Sequence, residues 1–198
     1  MPDLVNGIDV SCTVLGIKNT GNYEMTKAGD IVIGIESSGL HMNGYTLARK
    51  VLLGRYGLED EICGDKLVNW LLRPTAYYGG DLLIRLYGGG LIKSAVHVTG
   101  GGFTKMRRAI GDLGVELEVP EPPCIFKVIR ETGNIEWGGE MYRVFNMGIG
   151  LMVMTSEERV DDAVRVIRSS GFNYWVLGRV VDGGGINISM NNGVKLRV

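Results

Sequence analysis

Strand-like apolar runs and helix-like amphipathic stretches share this 198-residue chain without strict alternation, and that irregular order most constrains its fold. Strands are expected at residues 8–17, 31–35, 91–98, 115–119, 147–154, 174–181 and 185–189. Helices are expected at 45–53, 61–72, 81–87, 104–110, 122–131 and 140–145. A further helix is expected to start at Thr155, an N-cap residue with Glu158 three positions on, and to stop at Gly171. Strands and helices mixed in this way favour an α+β fold, a layered mixed sheet with helices packed on its faces. The polar, turn-rich stretch 19–30 divides the chain into an N-terminal strand with a hinge (1–29) and a main α+β domain (30–198).

Hydrophobic residues make up 45% and charged residues 22%, a globular balance. The formal net charge of -1 supplies no basic field, which argues against nucleic acid and against an anionic membrane as partner. Three widely spaced cysteines, Cys12, Cys63 and Cys124, offer no metal-ligand spacing and suggest no disulfide framework. A reducing, cytoplasmic setting is therefore expected, and no metal site is assigned. The start of the chain lacks a basic and apolar secretion signal, and the longest apolar run, 147–154, is too short to cross a bilayer.

Chemistry concentrates in two loops. The chain has two histidines, His41 and His97, and each follows a strand-like run beside glycines. The first loop is Ser37-Ser38-Gly39-Leu40-His41-Met42-Asn43-Gly44, and a helix is expected directly after it. The first N–H groups of that helix have no intrahelical partner, so they and the serine hydroxyls could hold an anion. Serine and asparagine that merely cap the helix and turn the chain are the plainer account. The second loop, His97-Val98-Thr99-Gly100-Gly101-Gly102, lets the backbone approach a ligand closely, or simply bends. Neither loop is a Walker A sequence, and Gly88-Gly89-Gly90-Leu91-Ile92-Lys93-Ser94 misses that pattern at Ile92.

These two loops, with Asn146-Met147-Gly148-Ile149-Gly150, Glu131-Thr132-Gly133-Asn134-Ile135 and Glu140-Met141-Tyr142-Arg143-Val144-Phe145, resemble the phosphoribosylformylglycinamidine cyclo-ligase (aminoimidazole ribonucleotide synthetase) family. The resemblance runs from about Asp30 to Val181 and matches the C-terminal domain of that family. It implies an ATP- and magnesium-dependent ligase that closes the imidazole ring of formylglycinamidine ribonucleotide in purine biosynthesis. It further implies that the glycine-rich nucleotide loop and metal carboxylates lie in a separate N-terminal half, that this chain alone is inactive, and that the complete enzyme is a homo-oligomer. On the same resemblance His97 and His41 are catalytic, His97 by exchanging a proton and His41 by orienting phosphates. Ser37, Ser38, Gly39, Asn43, Gly44, Thr99, Gly100, Gly101 and Gly102 bind substrate or phosphate. Two departures stand out: Ala76 where the family commonly has arginine, and Met42 where it has serine. The alternatives are a non-catalytic binding domain of the same fold and another ATP-dependent synthase of the superfamily.

Overall fold

The computed structural model describes residues 11–15, 24–136, 138–190 and 195–198. Its elements are β1 (Ile31–Glu36), α1 (Tyr45–Leu52), β2 (Glu61–Ile62), β3 (Asp65–Lys66), α2 (Leu67–Leu72), α3 (Asp81–Gly88), β4 (Ser94–His97) and α4 (Arg107–Ile110). They continue with β5 (Gly114–Val119), α5 (Cys124–Thr132), α6 (Gly139–Val144), β6 (Ile149–Thr155), α7 (Val160–Ser169), β7 (Tyr174–Val181), β8 (Ile186–Met190) and β9 (Lys195–Arg197). Seven strands form one mixed sheet in the order β4-β6-β1-β7-β5-β8-β9, in which β5 and β8 pair in parallel.

The centre of this sheet is buried on both faces, and period-2 geometry sorts its side chains. Val32, Met152 and Met154 join one core with Leu52 of α1, Leu67 of α2, Phe126 of α5 and Tyr142 of α6. Ile31, Ile33, Ile35, Leu151 and Val153 join a second core with Leu82 and Leu86 of α3 and Ala163 and Ile167 of α7. A strand with both faces covered reads as a continuous apolar run, as β1 and β6 do.

Most expected elements are present, and three expectations need correction. The helix expected over 61–72 exists only as α2, because Cys63 and Gly64 both adopt positive φ (55° and 77°) and fold β2 against β3 as a hairpin. Thr155 does not cap a helix: it closes β6, and its hydroxyl donates to the Leu91 carbonyl at 2.5 Å, so a 3-10 turn (Glu157–Arg159) intervenes before α7. The strand expected over 8–17 lies largely outside the described residues, and its described part, 11–15, is exposed without regular structure.

The third correction concerns the thiols. Cys63 and Cys124 form a disulfide, with Cα atoms 5.8 Å apart and a sequence separation of 61. It ties the hairpin turn to the first residue of α5, and Cys12 is left as an exposed free thiol. Closing a loop of this length restricts the unfolded chain, so replacing both cysteines by serine should lower stability by about 2–4 kcal/mol. Urea denaturation of the oxidised protein and the double variant measures it. Coincident unfolding curves would refute a stabilising bridge.

Candidate functional site

The sheet order gathers the loops. Strands β1 and β4 both pair antiparallel with β6, so they point the same way and their C-terminal ends lie beside the start of β6. The loop after β1 (37–44), the loop after β4 (98–102) and the turn before β6 (145–148) therefore meet at one end of the sheet.

Asn146, fully buried, is the knot between two of them. Its Oδ1 accepts from the Ser37 hydroxyl (2.9 Å) and the Gly148 N–H (2.8 Å), and its Nδ2 donates to the carbonyls of Gly39 (2.8 Å) and Leu40 (3.2 Å). The Ser37 N–H donates to the Gly148 carbonyl at 2.8 Å. The third loop joins through Asn43, whose Nδ2 donates to the Val98 carbonyl at 3.1 Å, and through the Val98 N–H, which donates to the Gly150 carbonyl at 2.9 Å. Buried polar groups matched in this way hold one geometry, because leaving any of them unpaired costs on the order of 1–3 kcal/mol.

Within this frame the two histidine rings lie with centroids 6.0 Å apart, and Tyr78 closes a triangle at 6.0 Å from His41 and 5.7 Å from His97. His41 sits in the left-handed region (φ 56°), an uncommon backbone for a non-glycine residue, and its ring is buried. Its Nε2 accepts from the N–H groups of Ser38 (3.0 Å) and Ala76 (3.3 Å). Burial, aided by the neighbouring His97, lowers its pKa from the usual histidine value to about 4. Burial and then the Lys105 charge also hold His97 below its usual value. Tyr78 donates its hydroxyl proton to the Glu36 carbonyl, and burial drives its pKa upward. Among the described residues Nδ1 of His41 and Nε2 of His97 are enclosed without a hydrogen-bond partner.

Two glycines make the assembly possible. A Cβ on Gly150 would lie 1.9 Å from the Tyr78 hydroxyl oxygen and 2.6 Å from His41 Cε1, so any side chain there would displace the ring cluster. Gly102, with φ 53°, would place a Cβ 2.0 Å from the Tyr142 carbonyl oxygen. Gly100, by contrast, faces open space, beside the half-buried Thr99.

The serine hydroxyls are engaged inside the chain: Ser37 with Asn146 and the Gly39 carbonyl, and Ser38 with the Pro74 carbonyl at 2.6 Å. Helix α1 starts from Gly44 with no side-chain cap, leaving its first N–H groups without a side-chain acceptor. Of the two departures, Met42 is exposed, and Ala76 contributes its backbone N–H to His41. Tyr78 was not among the expected site residues, since nothing in Tyr77-Tyr78-Gly79-Gly80 signals that it reaches two histidines. A cavity of about 1180 Å³ lies elsewhere, along β4 and the end of α3, and is lined by Tyr87, Lys93, Arg108 and Arg159 among others. A second, of about 780 Å³, lies over β5, β7, β8 and β9. No helix among the described residues is long and apolar enough to cross a membrane.

A mixed sheet covered on both faces at its centre, with three loops joined at one end, defines an α+β domain that carries its site at the strand ends. The sequence matches the family described as AIR synthase related protein, C-terminal domain, over residues 27–191, and the chain belongs to that family. It is 43% identical to the phosphoribosylformylglycinamidine cyclo-ligase of Pyrococcus horikoshii over 185 residues, 91% of this chain and 54% of that protein. It is 42% identical to the same enzyme of Thermococcus gammatolerans over 203 residues, 99% of this chain and 58% of that protein. The chain thus spans a little over half the length of these curated relatives. The crystal structure of the hydrogenase maturation protein HypE in complex with ATP shares the fold, with a TM-score of 0.54 and 15% identity over 86% of this chain and 50% of that one.

Proposed function

We propose that this chain is the C-terminal, substrate-side part of an ATP-dependent phosphoribosylformylglycinamidine cyclo-ligase, acting in the cytoplasm on a ribonucleotide. The observation that carries this reading is the identity of about 40% to named cyclo-ligases across nearly the whole chain, including all three loops that meet at the sheet end. ATP, with magnesium, would activate the formyl-amide oxygen, an internal nitrogen would attack, and ADP and phosphate would leave. Stabilising the anionic charge of such a transfer needs fixed N–H donors, which the start of α1 and the backbone around Gly100 can offer. In this reading His97 exchanges protons, Thr99 to Gly102 and Ser37 to Gly44 shape the phosphate and substrate contacts, and Tyr78 braces the histidines.

Residues 1–29 are read as the end of a preceding domain with its hinge, and 30–198 as the domain itself. The nucleotide loop and metal carboxylates would come from the remaining half of the relatives' length, and the complete enzyme would be a homo-oligomer. Met42, next to His41 in sequence, and Tyr77, next to Tyr78, are 61% and 79% exposed and are apolar surface suited to being covered by that half. The purified 198-residue chain, given substrate, ATP and magnesium, is expected to form no aminoimidazole ribonucleotide and no ADP above background. Turnover by the chain alone would overturn the division of labour proposed here. Turnover restored by adding the N-terminal portion of a relative would support it.

A further inference from the structure

The contacts of His41 define its protonation more narrowly than its position does. Two backbone N–H groups, from Ser38 at 3.0 Å and Ala76 at 3.3 Å, converge on Nε2. An imidazole nitrogen that accepts carries no proton, so the proton of the neutral ring must sit on Nδ1. Protonating Nε2 would set an N–H against two N–H donors held by the backbone. The ring is therefore locked as one tautomer, with Nδ1–H its only donor. No acceptor for that donor exists among the described residues, and His41 as a whole is only 4% exposed. Buried donors are almost always paired, so among the described residues this donor is open to a ligand atom or an ordered water.

The His97 ring, 6.0 Å away across a steep interplanar angle of 62°, also has an enclosed and unpartnered nitrogen, Nε2. Two orphaned nitrogens thus belong to neighbouring rings at the sheet end where the loops meet. We infer that His41 is a fixed, uncharged hydrogen-bond donor whose Nδ1–H is reserved for a carbonyl-type oxygen of the ligand, and that His97 is the histidine left free to exchange a proton there. A single directed N–H without positive charge is matched by one uncharged carbonyl oxygen, and phosphate is left to the clustered backbone N–H groups at the start of α1 and around Gly100. This deepens the cyclo-ligase reading, whose substrate carries a formyl-amide oxygen. It also removes His41 from the role of phosphate-orienting cation.

The titratable groups around the ring are His97 and Tyr78, with Glu36 beside Tyr78 and Lys105 beside His97. None of them gives the His41 ring an anionic partner that would favour its protonation. The test is nitrogen NMR of the imidazole rings in the 198-residue chain, with His41 assigned by substitution. At pH 7 His41 should show a protonated Nδ1 and a bare Nε2, and it should keep that form unchanged from pH 8 to pH 5. An Nε2–H tautomer, a mixture of tautomers, or a protonation midpoint near the ordinary histidine value would overturn the assignment. Hydrogen exchange supplies a second measurement. The Ser38 and Ala76 amides should lose at least tenfold of their protection in His41→Leu and retain it in His41→Gln, which restores an acceptor. Equal protection in both variants would also overturn it. The parts fail separately: a fixed tautomer with full turnover of His41→Leu in a two-domain enzyme would keep the tautomer and overturn its donation to a ligand oxygen, while the cyclo-ligase reading fails only if the wild-type two-domain enzyme forms no aminoimidazole ribonucleotide.

Discussion

Replacing His97 by alanine in a two-domain enzyme, made by joining this chain to the N-terminal portion of a cyclo-ligase relative, should lower turnover about 100-fold or more. The expectation rests on geometry. His97 closes β4 at the sheet end where three loops meet, and Gly100 beside it opens onto free space. Its Nε2 has no partner among the described residues, so the ring is not committed to holding the fold. Burial and the Lys105 charge lower its pKa, so at pH 7 the ring is neutral and can accept a proton. As the pH falls through that lowered value the neutral form disappears, and a rate that depends on it should fall too. His97→Gln keeps hydrogen bonding but cannot cycle a proton, so it should be nearly as impaired as alanine. Steady-state rates at saturating substrate check this, and wild-type turnover in the alanine variant would end the catalytic assignment.

The second large effect is on stability. Lys93 and Asp30, each with a side chain 2% exposed, form an ion pair of 2.6 Å. Asp30 also accepts the Lys27 N–H at 2.8 Å, and Lys93 lies 3.8 Å from Glu24. The pair fastens the segment before β1 to the segment before β4. Lys93→Met keeps the apolar stem but leaves a buried carboxylate without its counter-charge, which should destabilise the fold by about 3–5 kcal/mol. Pairing it with Asp30→Asn removes that stranded charge and should recover much of the loss. Equilibrium denaturation of the two single variants and the double variant closes the cycle. A loss below about 1 kcal/mol in Lys93→Met would show that the pair contributes little.

How much was legible in the sequence depended on the range of the interaction that decides each feature. The run from Ile31 to Ile35 and the helix after Gly44 are local patterns, and β1 and α1 follow them closely. The stretch 61–72 misleads because Ile62, Leu67, Trp70 and Leu71 fit a helical stripe, while the turn at Cys63-Gly64 overrides it. The disulfide was invisible for a different reason: its cysteines are 61 positions apart, and only the packing of the hairpin on α5 brings them together. The loops carrying His41 and His97 could be picked out by composition. That they touch is set by β6 lying between β1 and β4, which no local pattern announces. Tyr78 and the knot at Asn146 were beyond reach on the same ground. Each works through partners far along the chain, such as Ser37, 109 positions from Asn146.

The knot at Asn146 bears on how such an enzyme can be taken apart. Among the described residues, the bonds that fasten the first loop to the turn before β6, and the bond from Asn43 to Val98, begin and end within residues 37–150. The loop constellation is thus closed by bonds internal to this chain. It should therefore keep its shape, as a self-contained cartridge, when the remainder of the relatives' length is exchanged.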